Sequence, residues 1–559
     1  MNDELKIINI GGTTDVNGNL TIYETENDIV IVDCGIGFPD SDMPGVDIVI
    51  PDFSYILENA DKVKGLVITH AHEDHLGATP YLVKELNIPI YGNKLVNEFV
   101  KERLVDRASK QVADAAKFHE ISSESDPVSI GRDFTFEFFK MNHSVPDTLG
   151  FAIGTPQGLV LHIADFKIDW TPVLDDPLEI GRIAKYGEDG VLCLLSDCLG
   201  VTTEGYTQSE RSLDVTYENL FKEAKGRQLI VTTISSNISR IHQIISRAVV
   251  HNRQVVVSGR SIESSIRIAR SLGYLDFDDN LFVDGKDAKK FKQEDLLYLV
   301  AGCYGQYNSG LARIARGEHY NIEIEENAMV IFSADPNPPG VREDVEKVQD
   351  QLTLKGGEII YSEIQDNLHV SGHGTKGDIA TIAAVSKPKY FIPIGGTITK
   401  MRAYKKMVGE MGFDEETVFE QLEGESVVFK NGKAEKGPRV KVEEVLMEGR
   451  YDEEIPAIVL KDREAIGNDG LFVVIVPIDA ETGEFGNKVE IVTRGFIHVK
   501  ESGKLVGEAK TIINNLVAQD SGGAKNWGKV KADIGKRIDK YLRKKTGRRP
   551  MVIVHDIKV

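Results

Sequence analysis

The chain has 559 residues, with 66 Lys and Arg against 87 Asp and Glu, for a formal charge of −21. Its 41% hydrophobic and 27% charged content is that of a soluble globular protein, and its length suits roughly three or four domains. Composition excludes a collagen-like chain, a disulfide miniprotein and a mainly disordered chain, and the acidic balance argues at first sight against a polyanionic partner such as nucleic acid.

The first 200 residues read as short strands, turns and amphipathic helices. LKIINI, LTIYET and DIVIVDCG are successive strand candidates, punctuated by Gly11-Gly12 and Asn17-Gly18-Asn19. VKGLVITH is an apolar strand ending in polar residues, and TPYLVKEL after it has helical spacing with Pro80 near its first turn. FTFEFFKMNHS alternates and then breaks; GLVLHIADF and VLCLLSDC again end apolar strands on polar residues. From about 207 to 355, helical segments (SERSLDVTYENLFKEA, SRIHQIISRAVVHN) alternate with strands (RQLIVTTIS, QVVVSGRS, LLYLVAGCYG, AMVIFSAD). That is a parallel α/β pattern, with functional loops at strand carboxyl ends. GEIIYSEI, HVSGHGTKGD and KYFIPIGG resume strand–loop alternation from about 358, and VVFKNGKAEKG reads as a hairpin and linker. A last unit begins near 440 with strands AIVLKD, LFVVIVPID and IVTRGFI, a long helix near 503–519, a basic helix and a final strand, MVIVHDIKV.

Cys34, Cys193, Cys198 and Cys303 each lie in or beside an apolar run, with no CxxC pair, as buried free thiols of a reducing compartment do. The start lacks the basic-then-apolar order of a signal peptide, and no apolar run of 18 residues occurs. The expected location is the cytoplasm, with no membrane association.

The strongest chemical signal is His70-Ala71-His72-Glu73-Asp74-His75, directly after the strand GLVIT. Three imidazoles and two carboxylates within six residues, in a chain of 13 histidines, are ligand types that suit zinc or manganese. A loop at a strand end can aim alternate side chains at two neighbouring ions. His143 in MNHSVPDTLG and Asp165 in LHIADFK lie at two further strand ends.

HAHEDH, the downstream His143 and then Asp165 resemble the metallo-β-lactamase fold, and the spacing after them resembles the β-CASP nucleases. Within these the chain resembles the ribonuclease J family. The supporting segments are VDCGIGFPDSDMPGVDIVIPDFSYIL, THAHEDHLGA, NHSVPDTLGFAI, HIADFKID, LLSDC, SERSL, ISSNISRI, SGRS, HVSGHG and VTRGFI. The resemblance implies an α/β architecture: a metallo-β-lactamase αββα sandwich with an inserted β-CASP α/β domain and a small α/β C-terminal domain. The expected boundaries are 1–205 and 358–430 for the sandwich, 206–357 for the insertion, 431–445 for a linker and 446–559 for the last domain.

It also implies roles. His70, His72 and His143 would hold one metal, Asp74 and His75 a second, with Asp165 bridging; Glu73 fits the pattern but is not a ligand. The segment His369, Val370, Ser371, Gly372, His373 would contact RNA phosphates, with His373 as proton donor to the leaving 3′-oxygen. Asp197 would orient a histidine or metal ligand. Ser236 and Asn237, after LIVTT, match a nucleotide-contacting loop, and the Ser258–Ser261 loop is similar. The cofactor expected is zinc, two per chain, with manganese or magnesium as alternatives.

The pattern breaks at one place. A histidine after an Ile-Pro strand would complete the second metal's shell, yet Phe391-Ile-Pro-Ile-Gly395-Gly396-Thr397 puts glycine there. Water, or a side chain such as Thr397, would have to fill in, or the second metal is lost. Ser239, CYGQYNSG and NPPGVRE also depart from the pattern. The expectation is one tight metal site and one weakened site.

Lys525 to Arg549 carries eleven Lys or Arg and two Asp, a local +9, with Ile534, Ile538 and Leu542 on one helical face. This reads as a solvated face, an RNA-backbone contact or part of a subunit interface. The resemblance thus implies an RNA endonuclease and 5′→3′ exonuclease leaving 5′-phosphate and 3′-hydroxyl ends, acting on single-stranded RNA as a homodimer or homotetramer. The first alternative, favoured by Gly395, is a weakly active or inactive RNA-binding subunit partnering an active paralogue. The second is a small-molecule metallo-hydrolase.

Overall fold

A computed structural model describes residues 4–13, 18–39, 43–335, 341–448, 453–486, 488–497, 499–519 and 523–559. The turn at Asn17 and much of NPPGVRE lie partly outside these. The chain divides into two compact units, one of Met1–Phe38 with Val49–Val445, the other of Pro39–Ile48 with Leu446–Val559.

Two sheets dominate the first unit. One has eight strands in the order Lys433–Lys436, Ser426–Lys430, Leu5–Gly11, Leu20–Glu24, Ile29–Val32, Val63–Val67, Ile90–Gly92 and Phe118–Glu120. The other has six: Tyr390–Ile394, Val191–Asp197, Gly158–Ile163, Leu149–Thr155, Phe134–Lys140 and Val128–Ile130. Their facing surfaces make one core, in which Leu5, Ile7, Tyr23, Val32 and Val67 meet Phe136, Phe138, Phe151, Leu195 and Ile392. Period-2 apolar residues on both sheets build this layer. The other face of the six-stranded sheet is covered by helices Ile180–Asp189, Lys376–Ser386 and Ile398–Glu410, through Ile183, Ile379, Ile382, Met401 and Tyr404. The sandwich inferred from the sequence is present. The strands Gly158–Ile163, Val191–Asp197 and Tyr390–Ile394 run parallel, so their polar carboxyl ends fall together.

The inserted segment forms a fully parallel sheet in the order Gln254–Ser258, Leu296–Val300, Leu229–Thr233, Met329–Ser333 and Glu358–Ile360. Glu358–Ile360 was expected in the returning sandwich; it pairs instead with Met329–Ser333. A three-residue apolar strand has no pattern that says which sheet it joins. The hairpin expected at VVFKNGKAEKG forms, turning through Asn431 and Gly432, both at positive φ.

In the second unit, Leu471–Ile478 lies between Glu490–Arg494 and Met551–Lys558. Its core takes Phe472, Val474 and Val476 from the sheet and Ile513, Ile534, Ile538 and Leu542 from helices Val499–Gln519 and Trp527–Thr546. AIVLKD, read as a strand, is instead the start of helix Ala457–Asp469. Pro456 before it and Gly470 after it bound the helix, and Lys461, Arg463, Glu464 and Ala465 in its middle are good helix formers that outweigh the β-branched Ile458 and Val459. All four cysteines are buried, unpaired thiols.

Candidate metal centre

Five segments deliver side chains to one end of the sandwich. The loop after Val63–Val67 carries His70 and His72 and runs into the short helix Glu73–Leu76, which carries Asp74 and His75. His143 follows Phe134–Lys140, Asp165 follows Gly158–Ile163, Asp197 ends Val191–Asp197, and His373 lies in the loop before helix Lys376–Ser386. The donor atoms of His70, His72, His143 and Asp165 lie within 4.8 Å of one another, as do those of Asp74, His75 and Asp165, and those of Asp165, Asp197 and His373. Asp165 belongs to all three groups.

Each ring is oriented by a partner on its far side. Asp33, buried and at φ 62°, accepts from the Thr69 backbone N–H at 2.8 Å, from Thr69 Oγ1 and from His75 Nδ1 at 2.8 Å. Thr69 Oγ1 lies 3.0 Å from His70 Nδ1. With its own proton given to Asp33, it accepts from that ring N–H. His70 Nε2 is then a buried lone pair with no hydrogen-bond partner among the described residues. His143 Nδ1 donates to the Gly372 carbonyl at 2.7 Å, and its Nε2 lies 3.1 Å from His72 Nδ1. A buried, unpartnered imidazole nitrogen costs free energy unless something bonds it. With three ring nitrogens and a carboxylate converging, a divalent cation is the group that fits.

The electrostatics agree. Burial, then the neighbouring rings, hold His70 well below its ordinary pKa, and burial lowers His72 to about 3. Both stay neutral and ready to ligate. Burial alone would raise Asp165, but His75 and His373 outweigh it and keep the carboxylate well below its usual range. Burial alone would lower His373, but Asp197 and Asp165 outweigh it and raise it to about 9.

The model for the β-CASP domain of ribonuclease J matches residues 225–352, that for the ribonuclease J C-terminal domain residues 458–559, and that for the metallo-β-lactamase superfamily residues 13–180. The chain is 33% identical to ribonuclease J2 of Bacillus subtilis strain 168 over 555 residues, covering 99% of this chain and 98% of the relative. It is 32% identical to ribonuclease J 1 of Streptococcus pyogenes over 553 residues, covering 99% and 97%. The chain belongs to the ribonuclease J family. A crystal structure of a protein of unknown function from Enterococcus faecalis V583 shares the fold, with a TM-score of 0.52 at 14% identity, covering 76% of this chain and all of that one.

Within this ribonuclease J architecture, the other residues singled out in the sequence fall as follows. Asp197 is buried, accepting from Leu199 N at 2.7 Å and from His373 Nδ1 at 2.7 Å. His369 is half-buried, and its Nδ1 accepts from Arg240 Nη1 at 2.9 Å. Val370 O accepts from Arg240 Nη2 at 3.1 Å, and Ser371 Oγ accepts from His373 N. A Cβ on Gly372 would lie 2.7 Å from His143 Cε1, so any larger residue must displace the loop from that ring. Ser236 is half-buried in its loop. Asn237 does not present its side chain: it is buried and accepts from Arg240 N at 2.9 Å, capping helix Ile238–Val250. Glu73 is ion-paired to Arg103. Gly395 sits at φ 67°, and a Cβ there would point at Asp197 Oδ1 (3.5 Å) and Asp165 Oδ1 (3.6 Å). Thr397 begins helix Ile398–Glu410.

Sequence reasoning missed Asp33, Thr69 and Arg240. Asp33 had a signal, an acidic residue ending the apolar strand DIVIVD; Arg240 had none, since a basic residue in an amphipathic helix reads as solvated.

Proposed function

We propose that this protein is a metal-dependent ribonuclease that hydrolyses single-stranded RNA by endonucleolytic and 5′→3′ exonucleolytic steps, leaving 5′-phosphate and 3′-hydroxyl ends. What supports this is the convergence of His70, His72, His143, Asp74 and His75 on the buried Asp165, in a chain whose relatives are named ribonuclease J. His70, His72 and His143 would hold one zinc ion, and Asp74 and His75 a second, with Asp165 shared; manganese or magnesium is the alternative. Such a pair of cations supplies a nucleophile from water at neutral pH and clamps a phosphate in line. The chain's own residues position the substrate. Arg240 occupies His369 Nδ1, so the neutral ring carries its proton on Nε2, where it donates to a phosphate oxygen. The exposed Ser371 hydroxyl is a second donor. Action in the cytoplasm as a homodimer or homotetramer completes the reading.

A second reading is an RNA-binding subunit of little or no activity that partners an active paralogue. Gly395, with no side chain facing Asp165, favours it. Purified protein with Mn²⁺ or Zn²⁺ on 5′-monophosphorylated RNA separates the two. Metal-dependent mononucleotide release that Asp74→Ala abolishes is the expected result. RNA binding without cleavage establishes the subunit, and neither binding nor cleavage sinks both.

A further inference from the structure

We infer that Tyr274, in the inserted segment, is a positioning residue for the first metal: through Asp147 it fixes the turn that carries His143. The inference rests on the reading of His70, His72, His143 and Asp165 as a metal site. It goes beyond that reading by making the site depend on how the inserted segment is seated. His143 lies on the turn between strands Phe134–Lys140 and Leu149–Thr155. Met141 N donates to Thr148 O at 2.9 Å and closes the turn, and Leu149 N donates to Thr69 O at 3.1 Å, beside His70. Within it, Thr148 Oγ1 donates to Val145 O at 3.0 Å. So tied, the turn carries His143 and Asp147 as one piece.

Asp147 is where the rest of the molecule grips that piece. Its φ is 59°, a left-handed conformation that a residue with a side chain keeps where its surroundings hold it. Asn93 Nδ2 donates to Asp147 O at 2.7 Å, Asp147 N donates to Asp175 Oδ2 at 3.1 Å, and Tyr274 Oη donates to Asp147 Oδ2. Asn93 and Asp175 belong to the sandwich; of the three, only Tyr274 comes from the inserted segment. Its bond, made to a carboxylate, is of the stronger, charge-assisted kind.

Tyr274 is itself placed by its surroundings. Helix Arg260–Ser271, just before it, lies against helix Lys94–Arg107, where Glu102 accepts from Ser264 Oγ at 2.5 Å and from Arg267 Nη2 at 2.8 Å. Lys94 Nζ stands 4.4 Å from the centre of the Tyr274 ring, a cation–π contact. Asn93, which holds Asp147 O, is the N-cap of the same helix Lys94–Arg107. One helix of the sandwich thus receives the inserted segment and anchors the His143 turn, and the Tyr274 hydroxyl joins the two. Without that hydroxyl Asp147 loses a donor, and the turn is held from outside by its backbone alone. Metal affinity responds to such a change, because it depends on partners that orient the ligands.

The test reads metal binding, not activity. Chelator-buffered Co²⁺ titration of the full chain, followed by visible absorption, measures the first binding event. Tyr274→Phe removes the hydroxyl and keeps the ring beside Lys94; it should weaken that event at least about fivefold. Asp147→Ala should weaken it at least as much. The double variant should bind no more weakly than Asp147→Ala, because the hydroxyl acts through that carboxylate. Arg267→Ala breaks a contact between the same two helices away from Asp147 and should leave first-site affinity as it was. Unfolding curves for each variant separate lost metal affinity from lost stability. A Tyr274→Phe chain that binds Co²⁺ as wild type does, whatever its stability, makes Tyr274 structural only and overturns the inference. Additive losses in the double variant, or an equal loss in Arg267→Ala, overturn the route through Asp147 and the inference with it. The metal-site reading stands in all of these outcomes. Absence of Co²⁺ binding by the wild-type chain overturns both.

Discussion

Arg240 lies wholly inside the protein, and its guanidinium uses every edge. Nε donates to Glu210 at 2.7 Å, Nη1 to Ser333 O and His369 Nδ1, and Nη2 to Val370 O. Lys167, also buried, stands 3.6 Å from Glu210 and from Asp169. Lysine cannot reproduce a planar fork of this kind. Arg240→Lys should therefore free the His369 tautomer, visible as a change in its ¹⁵N imidazole shifts, and weaken RNA binding. Arg240→Ala leaves Glu210 short of a partner and should cost about 3 kcal/mol in denaturant unfolding, at the low end for a broken buried pair because Lys167 remains. His162 gives a second residue-scale prediction. Its Nδ1 faces Tyr23 Oη at 2.8 Å, and burial lowers its pKa to about 4. The unfolded ring titrates near 6.5, so between these values the unfolded chain binds more protons and acidification destabilises the fold. The loss builds from about pH 6.5 down to about pH 4 and reaches roughly 3 kcal/mol. His162→Phe should flatten that part of the stability profile relative to wild type; parallel profiles would remove His162 as the cause. The sequence displayed the histidines at strand ends plainly. It did not display Arg240, whose role depends on which loop packs over its helix.

Strand ends and loops decide the site's shape. The polar carboxyl termini of apolar strands were legible one by one, because a run such as LVIT ending in His, or LVLHI ending near Asp, has no other economical fold. Which strands lie side by side was not legible: Glu358–Ile360 carries no register information, and Ala457–Asp469 opens with an apolar run that suits either period. The loop His369–Gly374 shows what only packing reveals. Its Gly372 carbonyl holds His143 Nδ1 at 2.7 Å, and Gly372 itself lies against the His143 ring. Gly372→Ala must push the loop off that ring, so His143 loses its orienting partner. The expected result is a loss of about 10- to 100-fold in affinity at the first metal site with little change in global stability. A chelator competition assay measures the first and thermal unfolding the second. Unchanged metal affinity would show that His143 is oriented without this loop.

At the scale of the whole chain, a charge of −21 coexists with a +9 segment, and the proposed substrate meets surfaces, not averages. In helix Trp527–Thr546, Val530, Ile534, Ile538 and Leu542 pack into the core of their unit. The helical period puts Lys529, Lys536, Lys540 and Arg543 on the opposite side, within an arc of roughly 60° and over a length of about 21 Å. All four are exposed. Four cations in a row match the backbone of an extended single strand, each phosphate neutralised contributing about 0.7 to the slope of log affinity against log salt. Replacing the four with Gln should lower that slope by about 2–3 and weaken RNA binding most at low salt. Single-turnover cleavage at saturating RNA should stay as it was, because the substitutions leave His70, Asp74 and Asp165 untouched. The remaining acidic surface repels a stiff duplex more than a flexible strand, so the same variant should lose little further affinity for duplex DNA. A salt slope identical to wild type would assign the cationic face to another partner and confine RNA contact to the first unit.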